Sequence, residues 1–144
     1  MNKYDILKSK HQERFNSLPI GFAFSNEQFE EMMQNWGLKP TQTDKICYVF
    51  GKTGFARKAD LPLIKETIRK NDDEMAAAIA DDKDGTGFIR DMFVSEMFNH
   101  EYGLTLDISE VLSALGITAE TVNSDVRFQN AVKLAHEYVL ENTF

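Results

Sequence analysis

The sequence predicts a helix-rich α+β single domain over residues 1–144, with a small antiparallel β-sheet made of a hairpin at 46–57 and a strand at 20–24. Three observations carry that prediction. Most apolar residues recur three and four apart, the spacing of one helix face, from Tyr4 near the start to Val139 near the end. Two stretches read as strands instead, and the first of them alternates large and small residues. Those are Ile20-Gly21-Phe22-Ala23-Phe24 and the pair of runs around Gly51-Lys52-Thr53-Gly54.

In chain order, residues 2–17 read as an amphipathic helix whose stripe is Tyr4, Leu7, His11, Phe15 and Leu18, ended near Pro19. The strand at 20–24 places Ile20, Phe22 and Phe24 on one side. Ser25-Asn26-Glu27-Gln28 has the spacing of a capping box, Phe29, Met32, Met33 and Trp36 form the stripe behind it, and Gly37 stops the helix. After the connector 39–43, Ile46–Phe50 and Phe55–Arg57 read as strands forming a meander with the first. The two glycines between them supply the positive φ angles of a tight turn. Asp60 begins a helix with Pro62 early in it and Leu61, Ile64 and Ile68 inward; a break is expected at residues 71–74, then a stripe of Met75, Ala76 and Ile79.

The densest apolar pattern runs from Phe88 to Ile117, as two helices joined at Tyr102-Gly103. Phe88, Ile89, Met92, Phe93 and Met97 share a face, and Glu96 and His100 fall in the middle of it. Val94 and Phe98 lie on the nominal outer side and mark either an interface for homo-oligomerisation or a helix buried all round. Asp107 and Glu110 have capping-box spacing ahead of Ile108, Val111, Leu112 and Leu115, with Gly116 as the stop. A short helical turn at 118–123 precedes a last helix capped by Ser124, with Phe128, Ala131, Val132, Leu134, Ala135, Tyr138 and Val139 on one side.

Composition narrows the function classes. With 42% apolar residues and eleven Phe, the chain can build a real core without staples. The single Cys47 excludes an internal disulfide and suits a reducing cytoplasm. No run is long enough to span a membrane, and the first fifteen residues are too polar for a signal peptide, so a cytoplasmic protein is expected. A net charge of −7 argues against direct nucleic-acid binding, which needs Lys and Arg against phosphate, and favours solubility or a basic protein partner.

Glu96 and His100 are the sharpest polar signal. A carboxylate and an imidazole one turn apart inside an apolar stripe need partners, because burying them unpaired costs on the order of a few kcal/mol. The pair serves as a buried hydrogen-bonded link, as a general base with its orienting carboxylate, or, with His11, as metal ligands. The first needs the fewest further residues. His136-Glu137-Tyr138 echoes His100-Glu101-Tyr102, an echo read as coincidence because His136 is at the edge of its stripe.

Other motifs are incomplete. Asp82-Lys83-Asp84-Gly85-Thr86-Gly87-Phe88-Ile89 opens like a calcium-binding EF-hand loop, but the position that should supply the bidentate Glu is Phe93. Gly51-Lys52-Thr53 ends like a phosphate-binding loop, yet Ile46 stands where the earlier glycine belongs. No cofactor is implied. The carboxylates Asp72, Asp73, Glu74, Asp81, Asp82 and Asp84 form either a solvated face or an acidic surface for a partner protein.

The chain resembles a group of small uncharacterised proteins encoded by bacteriophages and other mobile elements of Gram-positive and gut bacteria. The likeness rests on Phe22-Ala23-Phe24-Ser25-Asn26-Glu27-Gln28-Phe29-Glu30-Glu31, on Gly54-Phe55-Ala56-Arg57-Lys58-Ala59-Asp60, and on Asn99-His100-Glu101-Tyr102 followed by Ala114-Leu115-Gly116. The resemblance implies a mobile-element setting inside a bacterium and draws attention to Asn99, His100, Glu101 and Tyr102. The resulting expectation is a non-enzymatic module binding a host or mobile-element protein through Asp81, Asp82 and Asp84 and through Asn99, His100, Glu101 and Tyr102, with an acid/base or metal-dependent enzyme at Glu96 and His100 as the alternative.

Overall fold

In chain order the protein forms α1 (Lys3–Asn16), β1 (Ile20–Gly21), α2 (Asn26–Asn35), β2 (Ile46–Val49), β3 (Gly54–Arg57), α3 (Leu61–Asp81), α4 (Phe88–Asn99), α5 (Tyr102–Thr105), α6 (Ser109–Leu115), α7 (Ala119–Ser124) and α8 (Val126–Thr143). This is the helix-rich α+β class that the periodicity predicts. The structure is a computed structural model and describes residues 2–143. Its residues group into two compact units: unit 1 is Met1–Gln12 with Asp72–Phe144, and unit 2 is Glu13–Asn71.

Unit 1 is organised around α4. Eight of its twelve residues, Phe88, Ile89 and Met92–Met97, are buried, so the helix is enclosed on nearly every side rather than on one stripe. It packs against α5, α6 and α8. Phe93, Ile89 and Met97 are fully enclosed, in one cluster with Tyr4, Val111, Phe128, Ala131, Ala135 and Val139. Val94 belongs to that cluster too, at 6% exposure, whereas Phe98 stays 42% exposed with its ring edge-on to Tyr138. The two outer residues of the predicted interface therefore separate, one into the core and one at the surface.

In unit 2, α2 lays Met32 and Met33 against Ile46, with Phe29, Trp36 and Phe55 around them. The expected capping box forms in half: Ser25 Oγ accepts the Gln28 N–H at 3.2 Å, but Gln28 Oε1 reaches one residue beyond the cap, to the Phe24 N–H at 2.8 Å. The three strands are antiparallel in the order β1-β3-β2, with Ile20 opposite Ala56 and Cys47 opposite Ala56 on its other side. The first strand thus joins beyond β3, not beside β2 as a meander would place it.

Several local expectations are corrected. The strand expected over 20–24 ends at Gly21 because the α2 cap takes the Phe24 N–H, and Phe22 and Phe24 point outward. The hairpin loop is residues 50–53. There Phe50, Gly51 and Lys52 take the positive φ angles, whereas Gly54 is a buried strand residue whose added Cβ would meet Ile20, Phe22 and Val49 within 3.3 Å. Helix α3 runs unbroken through residues 71–74, since Ile64, Ile68, Asn71 and Met75 keep one buried or half-buried line and override the weak propensity of Asn and Asp. Ala78, not Ala76, joins Met75 and Ile79 against the core.

Beyond α4 the helix breakers are Glu101 (φ 56°) and Leu106 (φ 58°), not Gly103. Gly103 lies inside α5 where a Cβ would come within 2.1 Å of Thr143 Oγ1. Asp107 caps Ser109 (N–H 2.9 Å, hydroxyl 2.7 Å) and forms no box with Glu110, whose side chain turns toward His100. Thr118 caps α7, and Asp125, not Ser124, caps α8 by accepting the Arg127 N–H at 2.9 Å.

Candidate functional site

Glu96 sits on α4 with 3% of its surface exposed. Its Oε1 accepts hydrogen bonds from Lys8 Nζ at 2.9 Å, Asn99 Nδ2 at 3.1 Å and the Tyr4 hydroxyl at 3.3 Å. Tyr4 and Lys8 are one turn apart on α1, which is what lets both reach one carboxylate. The start of α1 is tied to α4 as well: Asn2 Nδ2 donates to Ser95 Oγ at 2.8 Å and to the Asp91 carbonyl at 3.2 Å. Burial by itself would push the Glu96 carboxyl up. The Lys8 hydrogen bond and charge, with the Asn99 and Tyr4 bonds, outweigh that and hold it below the usual glutamate value of 4.5. The Tyr4 phenol is pushed up by burial and by the Glu96 charge. For Lys8, burial alone would lower the ammonium value, but the Glu96 bond and the nearby charges raise it.

His100 ends α4 and is about one-third exposed. Its Nε2 lies 3.6 Å from Glu96 Oε2 and its Nδ1 3.6 Å from Glu110 Oε2, so the imidazole stands between a buried and an exposed carboxylate. His11, the proposed third metal ligand, is elsewhere: its Nε2 is 3.0 Å from Glu74 Oε1. The three therefore do not converge, and among the described residues no group of three or more His, Cys, Asp or Glu has metal-holding geometry. Five cavities of about 240 to 470 Å³ among the described residues are lined by neither Glu96 nor His100.

Of the remaining residues singled out in the 99–102 run, Asn99 serves the Glu96 carboxylate and Glu101 is exposed at the left-handed turn. Tyr102 is buried and its hydroxyl lies 2.8 Å from His136 Nδ1, with the rings edge-on at 5.7 Å. The repeated His-Glu-Tyr triplet thus has a structural meaning that its sequence position hid. The tyrosine of the first copy meets the histidine of the second. Burial pushes the Tyr102 phenol up.

The acidic loop is built by its own main chain. Asp82 Oδ1 accepts the Gly85 N–H at 3.1 Å, and Oδ2 accepts those of Gly87 at 3.2 Å and Ile89 at 2.9 Å. Asp84 Oδ1 accepts from the Thr86 N–H and hydroxyl at 3.0 and 2.6 Å. Those bonds hold the Asp84 carboxyl below the usual range, the Thr86 hydroxyl contributing most. Arg127 donates to the carbonyls of Ile79 (2.9 Å) and Asp82 (3.2 Å), fixing the loop to the start of α8. Asp81 and Asp84 are exposed, and Asp82 half-buried.

Charge divides unevenly. Of the sixteen Lys and Arg and twenty-three Asp and Glu, unit 1 holds seven and sixteen and unit 2 holds nine and seven, giving −9 and +2. The whole-chain value of −7 conceals this split, which a count by position makes visible only once the units are known.

A helix-rich α+β chain with a buried carboxylate bound through one oxygen and no assembled ligand set among its described residues defines a class by architecture rather than by chemistry. The chain belongs to the family of unknown function DUF7659, whose match extends over residues 3–138. No curated protein and no solved structure shows significant similarity to it. No helix among the described residues is long and apolar enough to cross a membrane.

Proposed function

We propose that the protein is a non-enzymatic protein-binding module of bacteriophage or mobile-element origin, which acts in the bacterial cytoplasm by presenting the acidic surface of unit 1 to a basic partner protein. The observation that carries this reading is the charge of −9 gathered in unit 1, with Asp72, Asp81, Asp84 and Glu101 exposed. A surface of one sign steers an oppositely charged partner and rejects phosphate backbones. The origin rests on the resemblance carried by the 22–31, 54–60 and 99–102 runs. Affinity capture on the full chain from a bacterial lysate tests the reading. Lys- and Arg-rich partners should be retained, released by raised salt, and weakened by Asp81→Asn with Asp84→Asn. Retention of no such partner overturns it.

Acid/base catalysis is the second reading, favoured by the imidazole standing between Glu96 and Glu110. Against it, Glu96 Oε1 already accepts three hydrogen bonds in a closed setting. Under the catalytic reading, Glu96→Gln abolishes a turnover and spares the fold; under the binding reading, it costs stability.

A further inference from the structure

In the strand order β1-β3-β2, strand β2 is paired on one side only, so the outward main-chain groups of Ile46–Val49 have no neighbouring strand among the described residues. Soluble proteins blunt such an edge with charge, proline or a bulge. Ile46-Cys47-Tyr48-Val49 carries neither charge nor proline. Beside this edge lies a groove of about 470 Å³ lined by residues of the 23–29 and 43–48 segments and by Phe55. Its aromatic side is preformed: Phe29 meets Phe55 edge-on at 5.6 Å, and Phe55 meets Tyr48 at 5.0 Å. Phe24, 84% exposed, is held at the rim because its N–H is bound by Gln28 and the next residue caps α2.

No charged residue lines the groove. Lys45 precedes β2 and Lys52 follows it in the hairpin loop, both exposed and in no ion pair among the described residues; Asp44 is the nearest opposing charge in sequence. We infer that this edge takes an extended peptide of a partner protein, about five residues pairing with β2 as a fourth strand. Apolar side chains at alternate positions enter the aromatic groove, and acidic residues at the two ends meet Lys45 and Lys52. Main-chain pairing is what distinguishes this occupant from a small apolar molecule, which would use the groove and leave the edge bare. The inference concerns unit 2 and stands whether or not the acidic surface of unit 1 binds a partner.

The test pans a random heptapeptide library on the full chain and titrates the enriched peptide into ¹⁵N-labelled protein. Alternating apolar residues flanked by Asp or Glu are expected, with amide shifts centred on residues 23–29 and 43–49 and slowed amide exchange in β2. An analogue N-methylated at alternate positions keeps the side chains but cannot pair as a strand, and should bind about tenfold more weakly or worse, the loss of one or two net hydrogen bonds. Lys45→Glu with Lys52→Glu, both exposed positions, should weaken binding about three- to tenfold, the fold being checked by unchanged amide shifts outside unit 2. No enrichment, shifts centred away from β2, or equal binding of the methylated analogue would each overturn the inference.

Discussion

The two units solve the burial problem differently. Unit 1 encloses thirteen residues in one cluster around α4, while the corresponding cluster in unit 2 has three, Met32, Met33 and Ile46. Aromatic residues lean the same way without dividing cleanly. Phe88, Phe93 and Phe128 are buried in unit 1, where Phe98 and Tyr138 are exposed, whereas Phe22, Phe24, Tyr48 and Phe50 are exposed in unit 2 and none of its aromatic rings is fully enclosed among the described residues. Charge runs the other way, with the deep core inside a strongly acidic unit and the shallow one in a slightly basic unit. The difference teaches that stability and recognition need not be drawn from the same residues. Unit 1 holds its sharpest polar residue inside as an anchor, and unit 2, with its shallow core, keeps four of its aromatic side chains at the surface.

The largest effect should come from the deeper core. Phe93 is fully enclosed and edge-on to Phe128 at 6.3 Å, so Phe93→Ala should cost about 4 kcal/mol in urea unfolding. Met33 is also fully buried, but its neighbours Phe29, Trp36 and Phe55 are only partly so and can collapse into the space. Met33→Ala should cost about 2 kcal/mol. Equal losses would abolish the contrast between the units.

Next in size are two glycines with positive φ. A Cβ at Gly85 (φ 82°) would fall 1.9 Å from the Arg127 carbonyl oxygen, while a Cβ at Gly51 (φ 63°) would meet nothing within 4 Å. In unit 1 the obstacle is backbone, and the Arg127 side chain is tied to the Ile79 and Asp82 carbonyls. Gly85→Ala should therefore cost about 3 kcal/mol, strain and clash together. Gly51→Ala should cost about 1 kcal/mol, strain alone. Thermal unfolding of the two variants side by side decides it.

These contrasts also explain what could be read from the chain beforehand. The helix faces were legible because a period near 3.6 depends only on neighbours along one helix, and the apolar run from Phe88 to Met97 marked the core helix correctly. The partners of Glu96 were less so. Tyr4 and Lys8 lie about ninety positions away in sequence, and nothing local to α4 names them, although their spacing of four on α1 is the signal that could have. The Tyr102–His136 pair was visible only as a repeated triplet. Helix breaks were misplaced for a related reason. Gly103 has Thr143 packed where its Cβ would be, whereas Glu101 and Leu106, which carry no glycine signal, take the left-handed conformation.

A smaller effect tests the anchor itself. Glu96→Gln keeps the shape and removes the charge, and should cost about 1–2 kcal/mol near neutral pH. The pH dependence carries the sign. The Glu96 carboxyl is lowered in the fold, so the unfolded chain takes up the proton first. Its contribution is complete above the ordinary value of 4.5 and is lost as pH falls from there through the lowered folded value. Tyr4 and Lys8 are raised from 10.0 and 10.5, so their contributions are complete below about pH 10 and are lost as pH rises through the raised values. Stability should form a plateau between those limits, and Glu96→Gln should flatten its acid limb. An unchanged acid limb would show that the buried carboxylate does not anchor unit 1.

The smallest expected effect is none at all, at the acidic loop. An EF-hand directs its first and third carboxylates, the residue at five and a bidentate Glu at twelve onto one ion. Here Asp82 has turned both oxygens to main-chain N–H groups of Gly85, Gly87 and Ile89, and Asp84 is bound to Thr86. The twelfth position is the fully buried Phe93, which holds the core instead of an ion. Turning Asp82 toward calcium would break three hydrogen bonds that order the entry to α4, with no Glu to complete the shell. Calorimetric titration with millimolar calcium should give a flat trace, and the melting temperature should not move. A stoichiometric heat, removed by Asp82→Asn, would mean that the loop trades its main-chain bonds for an ion. The acidic charge of unit 1 would then serve metal rather than a partner protein.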